Sequence, residues 1–101
     1  MEKILAERKK RYEVEFNFVK ATTELTKFNL EKKYPEELFS IVDYYDTIYG
    51  TTSIISVDSL DDIQITLYPL EGKIIIWSDG LTLEYKDINS VMDFLNLKFS
   101  E

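Results

Sequence analysis

The sequence contains no cysteine and no histidine, and only three glycines and two prolines among its 101 residues. Zinc, haem and iron–sulfur centres draw on Cys or His, so the chain is expected to hold none of them and no metal or other cofactor. Cysteine nucleophiles and His-dependent triads are excluded, as is any disulfide, which fits a reducing compartment. The scarcity of glycine and proline argues against disorder and low complexity. Long apolar runs are missing too. The longest, Ile74-Ile75-Ile76-Trp77, is strand-sized, far short of the ~18 residues that suggest a membrane span. Near the N-terminus Ile4-Leu5-Ala6 is cut off by Glu7-Arg8-Lys9-Lys10-Arg11. No signal-peptide core forms there, and a cytoplasmic protein with no membrane contact is expected.

What is present is one domain's worth of chain, 45% hydrophobic and 14% aromatic, expected to fold as a single domain over residues 1–101. The first 33 residues carry two patterns at once. Tyr12 to Phe18 alternates apolar and polar, as a half-buried strand does. Val14, Phe18, Ala21, Leu25 and Phe28 recur at +4, +3, +4, +3, a heptad seam. Leu5, Tyr12, Phe16 and Val19 make a second apolar stripe on the opposite side. No Gly, Pro, Asp or Ser precedes Asn17 to punctuate a change of structure. One long helix over residues 1–33 is therefore expected, with a strand over residues 12–19 as the alternative.

Tyr34-Pro35 marks a boundary. Leu38, Ile41, Val42 and Tyr45 then share one helical face, which predicts a second helix over residues 35–49, ending before Gly50. The two helices would form an antiparallel hairpin. Beyond Gly50 the pattern turns to strands, over residues 53–57, 63–67, 73–77 and 81–85, joined by turns at 58–62, 71–72 and 78–80. Asp87 is a good N-cap for a last helix over residues 87–97. The expected fold class is α+β: a helical hairpin, a four-stranded antiparallel meander, and a C-terminal helix on the same face of the sheet. Tyr45 is expected in the core, with Tyr44 turned outward, and Trp77 is expected to be buried.

Charge is distributed unevenly. Residues 1–33 hold nine basic and six acidic side chains, a net of +3, and residues 34–101 hold three and thirteen, a net of −10. No basic residue lies between Lys33 and Lys73. That stretch carries Asp43, Asp46, Asp58, Asp61 and Asp62 together with Tyr44 and Tyr49, and these seven are the candidate partner-binding residues. Clustered carboxylates steer basic partners, and tyrosines supply contact area at binding hot spots. The same charges also serve as an ordinary solvated face. The basic group Arg8-Lys9-Lys10-Arg11 is diluted by Glu2, Glu7, Glu13 and Glu15, so direct nucleic-acid binding is not expected.

No motif names a reaction. Asp58-Ser59-Leu60-Asp61-Asp62 lacks the glycine and distal glutamate of a calcium loop, and no phosphate-binding loop or nucleophile elbow is present. The chain is not expected to be an enzyme. The leading expectation is an acidic inhibitor that occupies a basic, nucleic-acid-binding surface of a partner such as a nuclease. Phage-borne anti-CRISPR and anti-restriction proteins and toxin immunity proteins share this size and charge, a likeness of composition alone. The alternative is a non-inhibitory module, a dimeric adaptor or secretion chaperone, using the helical hairpin. Val14, Phe18, Ala21, Leu25 and Phe28 are the candidate self-association residues of a homodimer.

Overall fold

The computed structural model describes residues 2–48 and 50–100, and only the backbone of residues 2–5 and of Arg8. Its elements run α1 (Glu2–Lys33), β1 (Phe39–Thr47), β2 (Gly50–Val57), β3 (Leu60–Tyr68), β4 (Lys73–Ser78), β5 (Leu81–Tyr85) and α2 (Ile88–Phe99). The strands form one antiparallel sheet in the order β1-β2-β3-β4-β5. Helices and strands are segregated, so the α+β class stands. The long first helix forms, and residues 12–19 lie within it.

The second helix expected over residues 35–49 is replaced by β1, and no helical hairpin exists. The sheet therefore has five strands, and the additional one is Phe39–Thr47 rather than residues 12–19. A β-bulge between Ile41 and Asp43 explains the misreading. Phe39 and Ile41 face the helices, paired with Val57 and Ile55. Beyond the bulge Tyr44 and Asp46 take over that face, paired with Ser53 and Thr51. The extra residue breaks the two-residue period. What is left, Leu38, Ile41, Val42 and Tyr45, imitates a helical face. Leu38 and Val42 are in fact exposed. Residue types, with Ile41, Val42, Tyr44, Tyr45 and Thr47 in one run, favour the strand.

Both helices cover the same face of the sheet. The core joins Leu30 of α1 and Val91 and Leu95 of α2 to Phe39, Ile55, Val57, Ile63, Ile65, Leu67 and Ile76. The opposite face has no helix on it. Trp77, expected in the core, lies there with 47% of its surface exposed. Alternation sends Ile76 inward and Trp77 outward, so the apolar run at 74–77 reads as doubly buried although only one face is covered. Tyr44 and Tyr45 exchange the roles expected of them: the Tyr44 ring packs tilted against Phe16 of α1, centroids 5.5 Å apart, and Tyr45 faces the uncovered side.

Turn residues are placed by backbone need. Gly50 has φ +94, a left-handed conformation that favours glycine, and a Cβ there would also have to displace the Leu70 Cδ1 methyl 2.5 Å away. Asp87 caps α2 as expected, its carboxylate accepting from Ser90 N at 2.8 Å. The bond from the Ser90 backbone holds the Asp87 carboxyl below the ordinary aspartate range. The cap is thus complete above that range and is lost as pH falls through the depressed native value. Asp87→Ala should lower the melting temperature at neutral pH while Asp87→Asn changes it little. The gap between wild type and Asp87→Ala should narrow as pH falls through the lowered Asp87 value.

Candidate functional site

An antiparallel meander puts alternate turns at the same end of the sheet. The α1–β1 loop, the β2–β3 turn and the β4–β5 turn therefore lie at one end of the sheet. They place Glu36, Glu37, Asp58 and Asp79 at that end, and Asp61 and Asp62 stand there too, at the start of β3. The loops are stitched to one another. Asp58 N donates to Leu38 O at 2.9 Å, and Ser59 Oγ donates to Glu37 Oε2 at 2.5 Å. Next to the carboxylates is an open groove of about 310 Å³ lined by Lys33, Tyr34, Pro35, Glu36, Glu37 and Phe99. Tyr34 forms its wall. Its ring packs 4.8 Å from Phe99, its hydroxyl donates to Met92 O at 3.0 Å, and burial, then the Asp93 charge, raises its pKa. Among the described residues no three carboxylates approach closely enough to hold a metal ion. The acidic end is a spread field, not a chelating centre.

The other candidate residues are elsewhere. Asp43 points off the uncovered face, its carboxylate accepting from Tyr44 N at 2.8 Å. Asp46 accepts from Thr51 Oγ1 at 3.0 Å near the far end of β1, seven residues of strand from Phe39, or roughly 23 Å. Tyr44 is turned inward; burial, then the Glu24 charge, raises its pKa, and hydrogen bonding with Thr23 opposes the rise. Tyr49 lies outside the described residues. The fold thus gathers Asp58, Asp61 and Asp62 and separates Asp43 and Asp46 from them. Asp79 was not singled out in the sequence. Counting turns along the meander would have placed it, since every second turn returns to one end.

No protein-family model, no curated protein and no solved structure matches the chain. Among the described residues no helix is long and apolar enough to cross a membrane.

The second candidate set, on α1, stands on the helix face turned away from the sheet. The sheet is met by Phe16, Val19, Thr23 and Leu30, of which Val19, Thr23 and Leu30 are fully buried. Val14, Phe18, Leu25 and Phe28 are 62%, 51%, 60% and 61% exposed, and Ala21 between them is exposed as well. Of the stripe expected opposite the seam, Tyr12 is exposed, Phe16 half-buried and Val19 buried, and the Leu5 side chain lies outside the described residues.

Proposed function

We propose that this chain is a small acidic binding protein that occupies a basic surface of a partner, of the kind a nuclease or other nucleic-acid enzyme uses for phosphates. One observation carries the reading: Glu36, Glu37, Asp58, Asp61, Asp62 and Asp79, drawn from separate segments, stand at one end of the sheet. Carboxylates spaced along a rigid edge offer a basic cleft what a phosphate backbone offers it. Exposed ion pairs contribute only about 0.2–1 kcal/mol each, so these charges mainly set encounter rate and orientation. Lasting contact needs apolar area among them. Leu38 is 67% exposed at this end, and Leu81 stands bare beside the Asp79 turn. They take the central place expected of Tyr44, whose ring is turned toward α1.

The test is capture from a cell lysate on immobilised protein, with stepwise salt elution and mass spectrometry. Wild type should retain basic nucleic-acid-binding proteins that salt releases. Asp58→Lys, Asp61→Lys and Asp62→Lys combined should lose them. Against a purified captured partner, the triple variant should slow association and flatten its salt dependence, whereas Leu38→Ala should speed dissociation with little change in salt slope. Salt-insensitive capture, or the same retained proteins with the triple variant, overturns the reading.

A further inference from the structure

We propose that α1 is the interface of a homodimer, in which a second copy lies antiparallel along the exposed stripe with facing residue numbers summing to 39. The first support is position. At 3.6 residues per turn the stripe lies roughly 170° around the helix from the residues that meet the sheet. A second helix can therefore dock without touching the first copy's sheet. The stripe keeps a heptad period, the spacing of helix-on-helix packing rather than of a helix lying on a sheet.

The second support is complementarity in this one register. Phe18 meets Ala21 of the second copy, a large side chain against a small one. Val14 meets Leu25. Arg11 lies against Phe28, its stem packing on the ring and its guanidinium free to lie over the face. Glu7 meets Lys32. Beside the seam Lys10 reaches Glu31, and Glu31 already holds Lys27 at 3.0 Å, which leaves its second oxygen for the new cation. Asn17 faces Glu24. Two-fold symmetry makes each contact twice.

Other arrangements of the same helices are worse. A parallel pair stacks Glu7 on Glu7, Arg11 on Arg11 and Lys32 on Lys32. An antiparallel pair shifted by one heptad in one direction sets the Glu7 carboxylate on Leu25 and Glu15 against Glu15, and in the other direction sets the Lys32 ammonium on Val14 and Glu24 against Glu24. Each of those costs desolvation or repulsion. The overlap in the favoured register runs from Glu7 to Lys32, roughly 39 Å of helix. Two such faces bury on the order of 1,000 Å², the scale of a specific interface. This inference does not rest on the acidic end, which begins beyond Lys33 at the C-terminal end of α1.

Sedimentation velocity tests the dimer, and cross-linking tests its direction. Wild type should sediment as a dimer at high micromolar concentration. Phe18→Asp and Leu25→Asp should sediment as monomers with unchanged circular dichroism, because neither side chain is in the core. Glu7→Lys alone, and Lys32→Glu alone, should each weaken the dimer about tenfold, and the two combined in one chain should restore it. The chain has no cysteine, so single thiols report cleanly. A mixture of Val14→Cys and Leu25→Cys proteins should form a disulfide-linked pair. Neither alone should, since two Val14→Cys copies hold their thiols roughly 16 Å apart along the axis. A wild type that stays monomeric at high micromolar concentration overturns the proposal. So does self-cross-linking of either single variant, or a charge-swapped double variant no stronger than the single ones.

Discussion

Ile65→Ala is expected to destabilise the protein by about 3–4 kcal/mol, the middle of the range for truncating a fully buried aliphatic side chain. Ile65 is on the central strand and is completely buried. Its cross-strand partners are Ile55 and Ile76, and these pair onward with Ile41 and Leu83. One aliphatic row thus crosses all five strands beneath the two helices. A cavity at its centre has hydrogen-bonded backbone on both sides and cannot collapse. At roughly 4–8 °C per kcal/mol for a domain of this size, the melting temperature should fall by about 12–30 °C. Trp77→Ala deletes far more atoms yet should cost less than half as much, because its ring lies on the uncovered face with half of its surface already in water. Urea unfolding of both variants checks the ranking, with an unchanged urea dependence showing that the unfolded state is unaltered. A Trp77→Ala variant less stable than Ile65→Ala would mean that the uncovered face carries the larger share of the packing.

The elements legible in the sequence were those whose period is unbroken. From β2 to β5 the alternation is regular and the turns are marked, and those strands appear within a few residues of the expected positions. Asp87 announced α2. The long helix was legible by default, since nothing in residues 1–16 interrupts it. β1 was not legible, because a bulge is an insertion into the pairing pattern and its effect on periodicity is to counterfeit a helix. The partner strand that resolves the ambiguity, β2, is a tertiary fact. Trp77 was misplaced for a related reason. An apolar run shows that a strand can be buried on two faces, not that something covers both.

The acidic end was half legible. Charge segregation along the chain is plain, and Asp58, Asp61 and Asp62 belong to one turn. Sequence proximity does not decide which other carboxylates join them. The meander does, by parity of its turns, and it recruits Glu36, Glu37 and Asp79 while leaving Asp43 and Asp46 behind. The face of α1 that meets the sheet was the least legible feature. Hydrophobic periodicity selects the most apolar stripe, and here that stripe is the one left outside. The inward stripe contains Thr23, a residue no apolar pattern would nominate.

Thr23→Val is therefore the informative substitution at the helix–sheet contact, with an expected loss of about 1–3 kcal/mol despite conserving volume. Thr23 Oγ1 donates to Val19 O at 2.7 Å, the back-bond open to a threonine in a helix. Its single proton being used there, the 2.7 Å bond to Ser53 Oγ must have Ser53 as donor. Both residues are completely buried. Valine at position 23 takes the acceptor from the fully buried Ser53 hydroxyl and a hydrogen-bond partner from Tyr44, a desolvation cost at both. Ser53→Ala removes a donor but leaves the Thr23 proton satisfied, so it should cost less, about 0.5–1.5 kcal/mol. The pair Thr23→Val with Ser53→Ala removes both hydroxyls together and should be more stable than the sum of the two single losses implies. Urea unfolding of the four proteins gives the coupling. Equal costs for the two single variants would reverse the donor assignment, and strict additivity would show that the two hydroxyls do not bond. The expected coupling has a structural consequence. α1 is fastened at its middle through hydroxyls rather than through its apolar seam, so attachment to the sheet leaves Val14, Phe18, Leu25 and Phe28 unspent for a second helix.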